Sequence, residues 1–367
     1  MATDVRRNIL RSSSVQAGGA AFLLGVTGVL TIASSRYPMS YPDALLAKQA
    51  LFLVAGVTVM FVASSVPFGW YRKYAPWLGA AGLLLLITLP LSGVRVHGMR
   101  GWLRFGAVSL QPSELMKTPF LLMLAVFLAK HEMSELRRFA YGAVWTLLWI
   151  TPVALQPDFG TAVIYFGAFV LLYFVVGGRL KYLAIPLAVG TAAATWFVYR
   201  HAYAWRRLSG FVDPEGDPLG SGWHPLQFKL AIANGRIFGV KLGKALWSNY
   251  YLPFPYNDSA FATLSETLGF TGGVLVCGVL VLLAAALWQL GKNCVRRENR
   301  IFILGTMLLL TLQGVVHISV NLCLLPTTGL TMPFMSYGGS SLIGCFWMLG
   351  MALSAGAERE EQKPNHS

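Results

Sequence analysis

The chain has 367 residues, of which 55% are apolar and 12% are charged, and its mean hydropathy is +0.58. This composition excludes an ordinary soluble protein, because a soluble core of this length does not need long runs nearly free of charge. The formal net charge is +14, and its distribution over the loops, described below, explains it without a nucleic-acid partner.

Ten largely uncharged stretches approach the roughly 20 residues that cross a hydrocarbon layer about 30 Å thick. They cover residues 15–35, 50–68, 75–93, 113–129, 139–156, 159–177, 181–199, 262–290, 301–323 and 337–356. The sequence therefore predicts an all-α polytopic membrane protein with about ten transmembrane helices and no second, soluble domain.

Basic residues in the short loops concentrate on one side of the predicted membrane. With the N-terminus inside, 16 Arg and Lys residues fall on the inner side, and the opposite short loops hold Arg36, Arg95, Arg100 and Arg104. Because cytoplasmic loops carry the excess of positive charge, both termini are predicted to be cytoplasmic, with residues 357–367 as a short tail. The first apolar segment is too long for a signal peptide and lacks a clear cleavage site.

One loop, residues 200–261, is much longer than the others and joins the seventh and eighth spans on the outer side. A loop of this length in a compact membrane protein is usually functional. Its middle, "FKLAIANGRIFGVKLG", mixes apolar and cationic residues with glycines. This pattern suits a segment lying at the membrane surface, and it equally suits a solvated amphipathic cover over the helix ends.

The four cysteines, Cys277, Cys294, Cys323 and Cys345, fall in predicted spans or in a cytoplasmic loop. None has a partner in an outer loop, and their spacing does not match a metal site. We therefore expect no disulfide and no zinc site.

Two carboxylates mark the entrance of the eighth span. Asp258 stands just before it, where it can be a helix N-cap or a reactive group, since Asp is a preferred cap residue. Glu266 lies roughly 12 Å further along a helix that rises 1.5 Å per residue. An unneutralised carboxylate at that depth is unfavourable, so we expect a polar cavity around Glu266.

Glu114 and Lys117 are three residues apart at the start of the fourth span, so their side chains can meet on one face. Pro112 suits the first helical position, and Glu114 suits the positive end of the helix dipole. A structural ion pair and a pair lining a functional cavity are both compatible with this spacing.

Asp158, between spans five and six, is either the N-cap of the sixth span or part of an outer cleft. Lys48, near the outer start of the second span, can snorkel to the interface. Gly338 and Gly339 permit close approach of a neighbouring helix or of a ligand. His317, in the ninth span, is expected to make an interhelical hydrogen bond.

Five motifs occur in one order along the chain: "GWLRFGAVSLQPSELMK" (101–117), "QPDFGTA" (156–162), "WRRLSGFVDPEGDPLGSGWHPLQ" (205–227), "LPFPYNDSAFATLSETLGF" (252–270) and "LLPTTGLTMPFMSYGGSSL" (324–342). Together with the ten spans they resemble the SEDS family, which comprises the FtsW, RodA and SpoVE proteins of bacterial division, elongation and sporulation. The phrases "QPDFGT", "DPLGSGW" and "GLTMPFMSYGGSS" are more similar to FtsW than to RodA. The chain departs from the family at Asn257 and Ser259, which replace Thr and Phe, at Thr267, which replaces Glu, and at His317, which replaces Asn.

The resemblance implies one SEDS-type membrane domain over residues 1–367 and a peptidoglycan glycosyltransferase. Such an enzyme polymerises lipid II on the outer face of the bacterial cytoplasmic membrane and works with a class B penicillin-binding transpeptidase and other divisome or elongasome proteins. Asp258 is then the catalytic base, and Arg207, Lys229, Arg236 and Lys241 are candidates to bind the diphosphate. Further candidate substrate-binding residues are Lys48, Glu114, Lys117, Asp158, Glu266, Ser336, Gly338 and Gly339.

The resemblance implies no organic cofactor. A divalent cation, Mg²⁺ or Mn²⁺, is compatible with a diphosphate leaving group, although no set of protein ligands for it is recognisable. Two other functions fit ten spans with charges inside the membrane: a lipid II flippase and a non-catalytic division scaffold. Charged motifs gathered at one face argue against a transport path, and a carboxylate beside a basic loop argues against a scaffold.

Overall fold

The computed structural model describes residues 2–34, 42–96, 99–106, 108–130, 132–240 and 242–358. Lys241 and residues 359–367 of the predicted tail lie outside the described residues. The described part contains fourteen helices and a small sheet. The helices are α1 (Ala2–Ser34), α2 (Pro42–Ser65), α3 (Phe68–Ser92), α4 (Pro112–Leu115), α5 (Lys117–Ala129), α6 (Glu135–Leu155), α7 (Phe159–Val175), α8 (Leu180–Arg200), α9 (Ala202–Val212), α10 (Trp223–Gly235), α11 (Leu246–Tyr250), α12 (Ala260–Lys292), α13 (Arg297–Asn321) and α14 (Gly339–Ala357).

The helices confirm the prediction of an all-α polytopic membrane protein. Among the described residues, eight helical segments are long and apolar enough to cross a membrane: α1, α2, α3, α4 with α5, α8, α12, α13 and α14. α7 is also apolar but has only 17 residues. α6 is outside the eight; it begins with the charged residues Glu135, Arg137 and Arg138, and its Trp, Thr and Pro side chains lower its hydropathy further. The count of ten spans therefore remains a prediction.

Glycines allow the helices to pack closely. A β-carbon built on Gly28 of α1 would lie 2.0 Å from the Met335 carbonyl oxygen, and one on Gly350 of α14 would lie 2.4 Å from the Met60 carbonyl oxygen. At the crossing of α14 with α2 the small residue lets two helix backbones approach each other, which is how helices associate in a membrane, whereas Gly28 makes room for the loop that precedes α14. α8 packs much less closely. Leu183 is its one buried residue, so this helix lies at the margin of the bundle.

Two of the spanning segments are interrupted. Met116 separates α4 from α5. α12 contains a break at Gly269, where φ is 71° and ψ is −165°. These dihedral angles belong to a region that essentially only glycine adopts, so the break is encoded by this residue.

A three-stranded antiparallel sheet lies between α3 and α4, where the sequence suggested only a short loop. Its strands are β1 (Val94–Val96), β2 (Met99–Phe105) and β3 (Val108–Leu110), in the order β1-β2-β3. Arg95 pairs with Arg100, and Arg104 pairs with Ser109. β3 leads through Gln111 directly into α4, which fixes the sheet at the same end of the bundle as the long loop.

The long loop folds over the ends of α12 and α13 and carries α9, α10 and α11. Phe228, Ala231 and Leu252 of this loop form a small apolar cluster with Ala262 of α12 and Val320 of α13. The end of the bundle covered in this way is called the loop end below.

All four cysteines lie in the described part of the chain, and all are free thiols. Cys294 and Cys345 are buried. Cys323 follows the end of α13 instead of lying within the ninth span as predicted, and its Sγ donates to the Pro225 carbonyl oxygen at 3.3 Å. It therefore belongs to the loop end.

Candidate functional site at the loop end

The loop between α13 and α14, residues 322–338, organises the candidate site. Its Tyr337 amide donates to the Tyr256 carbonyl oxygen at 2.7 Å. Ser336 Oγ donates to the Asn257 carbonyl oxygen at 2.8 Å and accepts from the Met332 amide at 2.8 Å. Ser336 thus fixes the backbone beside Asp258, and these contacts give it a structural place in the candidate site.

Asp258 is half-buried and faces this loop. A β-carbon built on Gly329, whose φ is +74°, would lie 3.7 Å from Asp258 Oδ2. Asn321 Nδ2 donates to the Asp258 carbonyl oxygen at 2.9 Å. The N-cap interpretation of Asp258 is wrong, because α12 begins at Ala260 and its N-cap residue is Ser259.

Arg207 contacts the same stretch of the loop. Its Nη1 donates to the Thr327 carbonyl oxygen at 2.8 Å, two residues from Gly329. The structure therefore brings a carboxylate and a guanidinium to residues 327–329. Burial and, secondarily, the Arg207 charge lower the pKa of His224 on α10, a residue that no sequence pattern marks as functional.

The other predicted cations that the structure describes are exposed side chains. Lys229 is exposed on α10. Burial raises the pKa of the Cys323 thiol, which follows the end of α13, and the Lys229 charge offsets part of this rise. Arg236 is exposed directly after α10. Lys48 is exposed on α2, whereas its neighbour Gln49 is fully buried and donates from Nε2 to the Ser336 carbonyl oxygen at 3.3 Å.

Glu266 is fully buried, and hydrogen-bond donors enclose it where the sequence predicted a polar cavity. Its Oε1 accepts from Asn234 Nδ2 and the Trp247 amide, both at 2.8 Å. Its Oε2 accepts from the Ser248 amide at 2.7 Å and from Ser248 Oγ at 2.5 Å. The carboxylate therefore holds the first turn of α11 against α12, a structural contact in which hydrogen-bond donors stabilise its charge.

The break in α12 receives a segment of the long loop. The Phe270 amide donates to the Arg236 carbonyl oxygen at 2.9 Å, and the Thr271 amide donates to Ile237 at 3.1 Å. A β-carbon on Gly269 would lie 2.4 Å from the Gly239 nitrogen. Loop backbone thus takes the place of the helix's own hydrogen bonds, and Ile237 and Phe238, 59% and 80% exposed, project outward. This exposure favours the membrane-surface interpretation over a solvated cover.

Glu114 and Lys117 make the contact that their spacing predicts, with 2.6 Å between Lys117 Nζ and Glu114 Oε1. Lys117 also donates to Gln313 Oε1 at 2.9 Å, and Gln313 Nε2 donates to the Thr331 carbonyl oxygen at 2.9 Å. Both charges are buried. The pair therefore belongs to an enclosed network that ties α4 and α5 to α13 and to the loop of the candidate site.

The N-cap interpretation of Asp158 is confirmed, since its Oδ1 accepts from the Thr161 amide of α7 at 3.1 Å. Its Oδ2 accepts from Gln111 Nε2 at 3.0 Å and Ser113 Oγ at 3.3 Å, which joins "QPDFGT" to "QPSE". The prediction of an interhelical hydrogen bond for His317 is wrong. Its Nδ1 donates to the Leu330 carbonyl oxygen of the loop at 2.7 Å.

Gly338 is the N-cap residue of α14, and Gly339 is its first residue. A β-carbon on Gly339 would lie 2.8 Å from the Phe52 ring of α2, so close helix packing accounts for this glycine. Gly338 has more room, with its nearest neighbours at 3.8 Å and 4.0 Å. Among the described residues, no group of three or more His, Cys, Asp or Glu side chains is arranged to hold a metal ion.

Residues 17–361 match the model of the FtsW/RodA/SpoVE family, which is described as "Cell cycle protein". A probable peptidoglycan glycosyltransferase FtsW from Coxiella burnetii is 34% identical over 91% of this chain and 93% of its own length. Stage V sporulation protein E from Bacillus subtilis is 33% identical over 84% of this chain and 85% of its own.

Solved structures are also similar over nearly the whole chain. One, from a peptidoglycan synthase complex that coordinates polymerization and crosslinking, matches with a TM-score of 0.79, 29% identity and coverage of 93% of this chain and 96% of that chain. The rod shape determining protein RodA from Thermus thermophilus matches with a TM-score of 0.71, 28% identity and coverage of 95% and 97%.

Proposed function

This chain belongs to the FtsW/RodA/SpoVE family of cell cycle proteins, and we propose that it is a peptidoglycan glycosyltransferase that polymerises lipid II. The observation that carries the proposal is the convergence of Asp258 and Arg207 on residues 327–329 of one loop. A half-buried carboxylate and a guanidinium held at the same short stretch of loop suit a reaction that needs a base and expels an anion.

In this reaction the 4-hydroxyl of one sugar attacks the anomeric carbon of another, and a polyprenyl diphosphate leaves. Asp258 accepts the proton of the attacking hydroxyl, while Arg207 stabilises the charge that develops on the diphosphate. Lys229, Arg236, Lys241 and Lys48 are proposed to guide the anionic substrate to this place. The hydrogen bonds of Asn321 and Ser336 to the backbone of residues 257–258 support the proposal, because they hold the base in position before substrate binds.

Mg²⁺ or Mn²⁺ is proposed as a partner of the diphosphate. Mg²⁺ commonly keeps several waters and binds substrate phosphates, so the diphosphate itself would hold most of its coordination sphere, and Asp258 keeps its role as the base. The cation would neutralise charge on the leaving diphosphate. Chelation by EDTA is expected to slow strand synthesis, and added MgCl₂ to restore it.

We further propose that the protein lies in the bacterial cytoplasmic membrane with both termini in the cytoplasm, which puts the loop end outside. A class B penicillin-binding protein is the proposed partner, supported by the likeness to a chain of a peptidoglycan synthase complex. Divisome proteins are proposed as further partners, since the curated relatives include FtsW proteins.

The test is polymerisation of purified lipid II by the protein together with a class B partner. Asn keeps the size and polarity of Asp258 and removes its basicity, so Asp258→Asn is expected to fold and bind the partner but lose roughly two or more orders of magnitude in rate. Glycan strands are resolved on gels, and melting temperatures check the fold.

Glu215→Gln, a change at an exposed carboxylate of the same loop, is the control and should polymerise normally. Wild-type strand synthesis by Asp258→Asn would overturn the assignment of the base. Asp258-dependent passage of lipid II across vesicle membranes without strand formation would make the protein a flippase instead.

A further inference from the structure

The sheet β1–β3 has one face turned toward the bundle and one turned away from it. On the inner side, a β-carbon on Gly101 would lie 2.9 Å from Gln156 Oε1, and Leu103 packs against the main apolar core. Alternate residues of a strand point to opposite faces, so Arg100, Trp102 and Arg104 of β2 share the outer face. We call Arg95, Arg100, Trp102 and Arg104 the arginine face.

Strand register adds Arg95 to this face. Residues directly opposite each other in an antiparallel pair lie on the same side, and Arg95 is paired with Arg100. All three arginines are exposed, and residues 94–110 contain no Asp or Glu. Like charges directly opposite each other destabilise a sheet, so this pair favours an anion that neutralises both.

The height of the arginine face is set by α3. The last turns of this helix expose Ile87 by 52% and Leu91 by 87%, which suits side chains that meet lipid hydrocarbon. α3 ends at Ser92, and Arg100 Nη1 donates at 3.4 Å to the Pro90 carbonyl oxygen in its final turn. The Arg100 guanidinium therefore lies where the hydrocarbon ends and the lipid phosphates begin.

Trp102 supports the same position, because Trp is enriched at the boundary between hydrocarbon and headgroups. Guanidinium groups bind phosphate through paired N–H donors and are less hydrated than ammonium groups. Among the described residues, none of the three arginines has an ion-pair partner within the protein. A protein partner does not explain why the guanidinium reaches back to the end of a lipid-exposed helix, whereas a headgroup does.

We propose that the arginine face binds the phosphate of anionic phospholipids, such as phosphatidylglycerol, in the leaflet at the loop end. The face thereby fixes the sheet, and the QPSE segment that follows it, at a defined height on the membrane. This inference does not depend on the glycosyltransferase activity, because it concerns lipid binding by the resting protein.

A crosslinking experiment tests it at the site itself. Benzoylphenylalanine replaces Ser109, which is exposed and paired with Arg104 on the same face. The protein is placed in nanodiscs of phosphatidylcholine containing labelled phosphatidylglycerol or, in a second arm, labelled phosphatidylcholine at the same mole fraction. We expect several-fold more labelling by phosphatidylglycerol, and a loss of roughly five-fold for each arginine changed to Gln.

The matched control carries benzoylphenylalanine in place of Leu219, which is 86% exposed in the long loop, and should show no dependence on these arginines. The variant R95K/R100K/R104K keeps the charges and should retain most of the preference. The melting temperatures of the Gln variants separate misfolding from lost binding. Equal labelling by the two lipids, or unchanged labelling in R95Q/R100Q/R104Q, would overturn the proposal. A third arm contains labelled polyprenyl diphosphate at the same mole fraction. Stronger labelling by this lipid than by phosphatidylglycerol would also overturn the proposal, since it would make the face a substrate site.

Discussion

The guanidinium of Arg207 connects the long loop to the loop that faces Asp258 through a single side chain. A hydrogen bond from a charged group contributes about 1.5–3 kcal/mol, so we expect Arg207→Met to lower kcat/KM for lipid II by roughly 10- to 100-fold. Arg207→Lys keeps the charge and should lose less. Initial rates of strand synthesis at several lipid II concentrations provide the measurement.

The neighbouring Arg206 is the control for this prediction, because it is exposed on the same helix. Arg206→Met should stay within about two-fold of the wild-type rate, as surface substitutions away from such contacts have small effects. Equal losses in the two variants would reduce Arg207 to a general contribution to positive charge.

For a change at Glu266 we expect a loss of stability without a loss of catalytic activity. Glu266→Gln replaces an acceptor oxygen with an NH₂ group facing donors from Trp247 and Ser248. An unsatisfied buried group costs about 1–3 kcal/mol, so the melting temperature should fall while activity per folded molecule is kept. Glu215→Gln, exposed in the long loop, should change neither. A lower rate at an unchanged melting temperature would return Glu266 to the substrate site.

The spacing of residues in the sequence predicts some side-chain contacts of the candidate site and misses others. The contact of Glu114 with Lys117 and the cap at Asp158 follow from positions three residues apart, which a sequence displays directly. The partners of Glu266 come from residues 18 and more positions earlier, through a fold of the loop that no periodicity encodes. The same limit hid the bond between His317 and the loop.

The break in α12 is the feature of the helices with the most direct genetic test. Gly269→Ala puts a methyl group against the backbone of Ile237 and Gly239 at a positive φ, which costs about 1–3 kcal/mol in strain before any clash. We expect a strong loss of folded protein, measured by size-exclusion yield and melting temperature.

Gly278 offers a control within the same helix, since nothing lies within 4 Å of a β-carbon built there. Gly278→Ala should be neutral or stabilising by about 0.5–1 kcal/mol. Normal folding of Gly269→Ala would show that α12 can run straight and that the inserted segment is dispensable.

The Glu114–Lys117 pair stabilises the contact between helices through its enclosed network. Removing one partner leaves a buried charge, so Glu114→Gln and Lys117→Met should each lower stability by about 3–5 kcal/mol and lower activity as well. The double variant should lose less than the sum of the two, as a double-mutant cycle of unfolding free energies will measure. Additive losses would mean that the two side chains act independently.

At the element level, the sequence was informative for long apolar helices and uninformative for short elements. Hydropathy alone located α1, α2 and α12 to α14, because a membrane span must be apolar over its whole length. Strands of three and seven residues rich in Arg and Gly give no comparable signal, so the sequence predicts only a loop where the sheet lies. The partial burial of α6 and α7 depends on their neighbours, which composition does not reveal.

For the whole molecule, the orientation in the membrane is the property to test. A cysteine replacing Leu219 in the long loop should react with an impermeant thiol reagent added to intact cells, and one replacing Lys130, exposed at the opposite end, should not. The native cysteines are replaced beforehand; Cys294 is unsuitable as an inner marker because it is only 4% exposed. Reaction of position 130 and protection of position 219 would invert the orientation derived from charge.

The contact between α2 and α14 can form only after nearly the whole chain has been synthesised. Gln49 meets Ser336 across 287 positions of the chain, and Phe52 and Met60 receive glycines of the last helix. At about 5–20 residues per second, the ribosome needs roughly 15–60 s to make that interval. Asp258 enters the membrane before the loop that faces it has been synthesised. An unfinished or truncated chain can therefore insert most of its helices and still be unable to act on the lipid around it.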